Sequence, residues 1–498
     1  MSVDTRFLAF DLGASGGRAI VGDVSPDRFR IEELHRFGNR PVEARGHLYW
    51  DFFALYAELL QGLRAYRDRY GPVLSGVGVD TWGCDFGLID RNGELLRMPT
   101  HYRDVRTEGT VEIIEARFGK RELYLRTGIQ FLVFNTLNQL IAMRRAGDPT
   151  LDAAAGLLFM PDMFHYCLTG ARASEFTVAS ISQLYNPLEG GWDREICDSF
   201  GIPAGILQPL VRPGNTLGDL DPSISRETGV FGPVILPATH DTASAAAAVP
   251  SLEEGMAFIS SGTWSVVGLE LAAPVLGDRG FEMGFSNSGG AFGRTVYVKN
   301  VMGLWIIQRC RDAWALRGTA LSFEDIAAAA ARAKEPEVWI DPDDPRFLNP
   351  PDMVAEVVCA ARESRAGAPG ESDIGGVARL VFESLAWKYR YILESLYHAT
   401  GAPIRAIHIV GGGANNALLD QLTADVTGRE VLAGPTEATA IGNLAVQAVG
   451  AGVLESLAEA RRLIGREFSM TAYRPRSDAG RETRYRQFLD ASRLPTRT

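Results

Sequence analysis

The segment from Phe7 to Val24, FLAFDLGASGGRAIVGDV, recurs in reduced form from Met256 to Leu271, MAFISSGTWSVVGLEL, and this repetition constrains the fold more than any other feature of the chain. Each copy is an apolar run, a tight turn of Gly and Ser, and a second apolar run, which is the pattern of two strands joined as a hairpin. Two copies predict two similar domains. Small turn residues leave backbone N–H groups open to close approach by a phosphate, so one such turn per domain points to a bound nucleotide. Asp11 opens the first turn, and a carboxylate beside phosphates is stable mainly when a divalent cation lies between them. The second copy has no acid; it offers Thr263 and flanking serines. Most Gly/Ser hairpins join strands and bind nothing, so the reading needs support from elsewhere in the chain.

A length of 498 residues exceeds what one hydrophobic core serves, and the division is expected near Pro250, giving domains 1–249 and 250–498. With 46% hydrophobic and 22% charged residues the chain is globular, not disordered. Fifty basic against 61 acidic residues leave a formal charge of -11 with no Lys/Arg run, which argues against nucleic acid as a partner. Cys84, Cys167, Cys197, Cys310 and Cys359 show no CxxC spacing, so reduced, mostly buried thiols are expected instead of a zinc cluster or disulfide framework. Asp4 and Arg6 precede a short apolar run that Asp11 interrupts, so neither a signal peptide nor a membrane span is expected, and a cytoplasmic location follows.

Val- and Ile-rich runs alternate with segments of helical period, the pattern of an α/β protein. Gly76 to Asp80, Phe86 to Asp90 with its Asn92-Gly93 turn, and Glu94 to Leu96 read as consecutive strands extending the first sheet. Leu137 to Arg145, Phe159 to Leu168, Met302 to Leu316 and Val377 to Ala399 have helical spacing. Ile235 to Ala238 reads as a buried strand followed by an Ala-rich helix from Ala243 to Val249, and Ala406 to Val410 as a strand feeding Gly411-Gly412-Gly413.

Three further constellations carry chemistry. In PATHDTASA, Asp241 stands where a strand turns into a helix, and in open α/β folds ligands gather at such carboxyl ends. Asp241 is the candidate base for removing a proton from an acceptor hydroxyl, and the alternative is that Asp241 or Thr239 merely caps the helix. In VDTWGCDFGLID, Trp82 with Asp80 and Asp85 resembles a sugar pocket, where an aromatic face packs on C–H groups and carboxylates take hydroxyls; Trp82 as core is the alternative. In IHIVGGGANN, the glycines allow a nucleotide to lie against the main chain, or form a flexible turn. The chain has no GxxxxGKS or GxxxxGKT loop, no GxGxxG opening a dinucleotide fold and no HExxH.

A phosphate-binding hairpin duplicated across two domains, with an acid in the first, resembles the actin and hexokinase group: two similar ribonuclease H-like α/β domains around an interdomain cleft. The stretches DLGASGGR, HRFGN, GVDTWGCDF, YRDVRT, RTGIQFLVFNTLNQL, MPDMFHYCLTG, ATHDTASA, SSGTWSVVG, KNVMGLWIIQR, DPDDPRFLNP and IHIVGGGANN resemble, in order, segments of the FGGY carbohydrate kinase family over nearly the whole chain. The resemblance implies phosphorylation of L-rhamnulose at its C1 hydroxyl by MgATP, giving L-rhamnulose 1-phosphate in L-rhamnose degradation. The alternatives are another sugar of the family, such as L-fuculose or xylulose, or a sugar or nucleotide sensor without turnover. It also implies roles. Ala14, Ser15, Gly16, Gly17 and Arg18 form the first phosphate loop, and Asp11 holds magnesium through water. Thr263 contacts phosphate from the second loop, and Gln308 and Gly412 complete the ATP site. Gly83, His240, Asp241, Thr242 and Asn300 bind the sugar, with Asp241 the catalytic base. Gly17 departs from the family pattern, where Ser is frequent, and a missing hydroxyl there is expected to loosen one phosphate contact modestly. The oligomeric state is not legible from these motifs.

Overall fold

The computed structural model describes residues 5–251, 255–364 and 367–495; Asp4, which enters the reading of the N-terminus, lies outside them. Contacts group the chain into two units. The first comprises Met1–Pro250, Glu270–Tyr297 and Ala438–Glu467, and the second Ser251–Leu269, Val298–Glu437 and Phe468–Thr498. The first unit thus holds two stretches that follow residue 249 in sequence.

The first unit is built on a six-stranded sheet in the order Thr216–Asp219, Pro233–Ile235, Gly76–Thr81, Arg6–Gly13, Gly16–Ser25, Arg28–Gly38. Arg6–Gly13 and Gly16–Ser25 form the expected hairpin, closing at Gly13 opposite Gly16 through Ala14 and Ser15. Gly76–Thr81 adds to the other side of Arg6–Gly13 in parallel, bringing Asp11 level with Asp80. Residues Phe7 to Leu12 and all of Gly76–Thr81 are buried, as expected for central strands covered on both faces. The helix Phe52–Tyr70 buries Phe52, Leu55, Leu59, Leu63 and Tyr66, and Asp51 caps it by accepting from Ala54 N at 3.1 Å.

The second unit repeats the scheme. In order, Thr295–Met302, Trp264–Leu271, Met256–Ser261, Ala406–Val410, Glu430–Ala433 and Thr471–Tyr473 are six strands of a seven-stranded sheet. Met256–Ser261 pairs antiparallel with Trp264–Leu271 and parallel with Ala406–Val410, as Arg6–Gly13 does with its own neighbours. The duplication read from the two hairpins is therefore a duplication of the sheet core. The buried helix Ile374–Thr400 packs in this unit, capped by the Asp373 carboxylate and ended by Gly401 at φ 72°.

Several segments differ from the sequence reading. Phe86–Ile89 does not extend the first sheet; it pairs antiparallel with Gly156–Phe159. The sheet position beside Gly76–Thr81 is occupied by Pro233–Ile235, through Val234 opposite Val77, so the chain leaves the sheet after Thr81. Glu94 to Leu96 forms a single bridge, Leu95 with Ile89, in place of a strand. The strand expected over Ile235 to Ala238 ends at Ile235, because Pro237 supplies no N–H to a ladder. Phe159 ends a strand and Met160–Thr169 forms the helix; likewise Thr295–Met302 is a strand, and the helix begins at Trp305. The five cysteines are free, with Cys84, Cys197 and Cys310 buried, Cys167 half-buried and Cys359 exposed. Among the described residues no helix is long and apolar enough to cross a membrane.

His165 ties a helix to the central strand: Val79 N–H donates to its Nε2 at 3.1 Å, so that nitrogen carries no proton. Burial pushes the imidazole pKa down to about 3. Below pH 6.5 the unfolded chain takes up a proton that the folded chain refuses, so this contribution is present above 6.5 and is lost as pH falls. In urea unfolding across pH 7 to 4, His165→Gln should therefore lose stability less steeply than wild type, by roughly 1.4 kcal/mol per pH unit at most. Parallel slopes would contradict the assignment.

Candidate functional site

In the first unit the strand ends Asp11 and Asp80 lie side by side, and Arg18, across the hairpin from Asp11, donates to its Oδ2 at 2.9 Å. Asp80 is fully buried; Asn443 Nδ2 donates to its Oδ2 at 2.6 Å, while Oδ1 is buried without a hydrogen bond. Burial, followed by the charge of Asp11, holds the Asp80 carboxyl well above the usual carboxylate range. In the first loop Ala14, Ser15, Gly16 and Arg18 are partly or fully open, whereas Gly17 is buried. A Cβ on Gly17 would lie 2.3 Å from Phe37 Cζ, so the aromatic ring of Phe37 fills the space a serine would need.

Thr239, His240 and Asp241 form the turn into the helix Asp241–Ala247, hung from the central strand by Thr81 N donating to Thr239 O at 2.9 Å. Neither Thr239 nor Asp241 is the cap; His240 occupies that position without a side-chain capping bond. Thr242 N and Oγ1 donate to Asp241 Oδ1 at 2.5 and 3.2 Å, and His240 Nε2 lies 3.4 Å from the same oxygen. Among the described residues no hydrogen bond engages Oδ2, on a side chain 36% exposed. His240 is half-buried, its side chain 14% exposed, and the loss of solvation lowers its pKa against the opposing pull of Asp241. Gly83 adjoins this turn: a Cβ there would meet Ile181 Cδ1 at 2.2 Å and His240 at 3.4 Å. The helix Ala438–Gly450 backs the arrangement, since Gly442 has room for no side chain, with its hypothetical Cβ 1.8 Å from Ser244 O.

Trp82 and Asp85 are not a surface for sugar. Trp82 is core, its ring 4.1 Å from that of Trp50. Asp85 is fully buried and accepts from Trp50 Nε1 at 2.6 Å, Trp82 Nε1 at 3.0 Å, Tyr102 N at 3.2 Å and Gln139 Nε2 at 2.7 Å. Burial raises its pKa to about 6 against the pull of those donors. Trp50, Gln139 and Asn443 were missed in the sequence; for Gln139 the signal was present, as a polar residue on the apolar face of Thr136–Arg145.

In the second unit, Thr263 sits in the turn after Met256–Ser261, and its carbonyl accepts from Gly303 N and Trp305 N at the start of the helix Trp305–Leu316. Gln308 on that helix comes to 3.4 Å from Thr263 Oγ1. Gly411-Gly412-Gly413 runs against the same strand end: a Cβ on Gly413 would lie 1.9 Å from Ser261 Oγ, whereas Gly412 faces open space. Thr263, Gln308 and Gly412 are therefore neighbours of one strand end. Asn300 lies on Thr295–Met302, within the second unit, and Gly83 and Asp241 belong to the first.

Asp11 carries carboxylate oxygens, the donor type that magnesium takes beside substrate phosphates; among the described residues no group of three or more His, Cys, Asp or Glu is placed to hold a metal.

Comparison with known proteins fits this architecture. The chain is 40% identical over 489 residues to a rhamnulokinase of Bacteroides thetaiotaomicron, covering 98% of this chain and 99% of the relative. It is 37% identical over 467 residues to a rhamnulokinase of Oceanobacillus iheyensis, covering 94% and 97%. Its fold matches the xylulose kinase of Lactobacillus acidophilus with a TM-score of 0.79 at 14% identity over 97% of this chain and 96% of the other. It also matches the glycerol kinase of Plasmodium falciparum, with a TM-score of 0.78 at 15% identity over 98% and 97%. Residues 6–248 match the N-terminal domain, and residues 257–451 the C-terminal domain, of the FGGY family of carbohydrate kinases. The duplicated sheet core, the acid-bearing first hairpin and these matches agree, and the chain belongs to the FGGY family of carbohydrate kinases.

Proposed function

We propose that this enzyme transfers the γ-phosphoryl group of ATP to the C1 hydroxyl of L-rhamnulose, giving L-rhamnulose 1-phosphate, as a cytoplasmic step of L-rhamnose degradation. The observation that carries this reading is the near-full-length likeness to proteins named rhamnulokinase. Asp241 Oδ2 accepts the hydroxyl proton as the new O–P bond forms and the bond from Pγ to ADP breaks. Thr242 and His240 hold Oδ1 and so fix which oxygen faces the sugar. His240, Thr242 and Gly83 line the sugar from this turn, and Asn300 is its assigned contact on the other unit. The loop Ala14 to Arg18 receives phosphate oxygens on backbone N–H groups and the Arg18 guanidinium. Thr263, Gln308 and Gly412 bind the rest of ATP. Asp11 would hold Mg²⁺ through water, and the ion neutralises phosphate charge when bound.

The test is MgATP-dependent ADP release with L-rhamnulose, L-fuculose, L-xylulose, D-xylulose and glycerol. L-Rhamnulose should lead in kcat/KM by about tenfold or more, since hydrogen-bonded hydroxyls discriminate strongly. A lead for another sugar would move the specificity, and silence on all five would remove the activity.

A further inference from the structure

Glu175 has no part in the reaction above, yet its placement is unusual for a carboxylate. It is fully buried, and a single oxygen, Oε2, takes every side-chain hydrogen bond it makes. Thr239 donates to that oxygen twice, from N at 3.2 Å and from Oγ1 at 2.6 Å. Thr177 N at 2.9 Å, Val178 N at 3.3 Å and the Thr177 hydroxyl complete the set. The Thr177 hydroxyl in turn accepts from His240 N at 3.1 Å. Both residues that precede Asp241 are therefore fixed by one carboxylate, Thr239 directly and His240 through Thr177. Oε1 is buried without a partner.

We propose that Glu175 is the positioning residue of this kinase: through Thr239 and Thr177 it sets where the turn presents Asp241 to the acceptor hydroxyl. The inference rests on the reading of Asp241 as base. No atom of Glu175 needs to reach the substrate. Two strands of support hold the turn, Thr81 N–H on one side and Glu175 Oε2 on the other. Releasing one lets the turn shift, and displacements near 1 Å at a reacting group cost up to about 10²-fold in rate.

The one-sided use of the carboxylate supplies the test. Gln in place of Glu175 can put its carbonyl oxygen where Oε2 stands and its amide where Oε1 has no partner, so the geometry survives without the charge. Leu cannot accept at all. With L-rhamnulose and MgATP, Glu175→Leu should lower kcat about 10- to 100-fold with the KM for MgATP unchanged, and Glu175→Gln should restore kcat to within about fivefold of wild type. Wild-type kcat in folded Glu175→Leu, or a Gln variant as slow as Leu, would overturn the proposal. Should Glu175→Leu fail to fold, Thr177→Val decides: it removes the acceptor of His240 N together with one of the donors to Glu175 Oε2, leaves Thr239 on that oxygen, and should lower kcat several-fold with the fold intact, and an unchanged kcat would overturn the proposal. Inactivity of the wild-type protein on all five sugars is a separate outcome, which removes the functional reading and this inference with it.

Discussion

Asp241→Asn is expected to lower kcat by about 10² to 10⁴ while leaving the fold in place, the usual share of general-base catalysis. The substitution keeps the shape of the side chain. Thr242 N and Oγ1 can still donate to the Asn Oδ1, so the first turn of the helix keeps its contacts. The group is more than a third exposed, so no buried charge is stranded in either variant. What changes is Oδ2, which becomes an amide nitrogen unable to take a proton. His240 is no substitute, because burial weakens it as a base. The measurement is steady-state ADP release with L-rhamnulose beside thermal unfolding of the same preparation. Turnover near wild type would take the base role away from Asp241, and a large loss of unfolding temperature would turn the result into one about stability.

The parts of the molecule that were legible in the sequence are those set by local pattern. The hairpins Phe7 to Val24 and Met256 to Leu271 could be read because alternating apolar runs and a two-residue turn specify a hairpin without help from the rest of the chain. Asp241 at the entry of an Ala-rich helix was visible for the same reason. What failed was competition between distant segments. Phe86–Ile89 reads as a neighbour of Gly76–Thr81, yet Pro233–Ile235, some 150 residues on, takes the place beside it. Buried polar partners were equally hidden. Asn443 reaches Asp80 across 363 positions and Glu175 reaches Thr239 across 64, and neither asparagine nor glutamate announces a buried partner in its own neighbourhood. The family resemblance carried Asn300 and Gln308, which no periodicity marks. At Gly17 the sequence shows only the missing hydroxyl, and the phenylalanine ring on the adjacent strand that occupies the space of a side chain there comes from a distant position.

The second large effect concerns stability at Asp85. Replacement by Leu should destabilise the first unit by about 3–5 kcal/mol, the range for removing one member of a buried charged network. The loss arises because Trp50 Nε1, Trp82 Nε1 and Tyr102 N all donate to Asp85 Oδ2 inside the core, and each donor left unpaired costs about 1–3 kcal/mol. Gln139 is spared, since its amide also donates to Phe134 O at 3.0 Å. Leu recovers part of the cost through apolar burial against Trp82. Asp85→Asn keeps an acceptor for the two indoles and should be milder. It should also remove a pH dependence. In the folded protein the Asp85 carboxyl titrates near 6, in the unfolded chain near 3.8, so between these values the folded state holds a proton that the unfolded state has released. Stability from this group is therefore highest below pH 3.8 and declines as pH rises to 6, by roughly 3 kcal/mol in all at 1.4 kcal/mol per unit. Urea unfolding followed by tryptophan fluorescence reads both effects, because Trp50 and Trp82 are themselves the donors. A Leu variant as stable as wild type would mean that the core rearranges to satisfy the indoles elsewhere, and an Asn variant with the wild-type slope from pH 4 to 6 would mean that Asp85 stays ionised inside the protein.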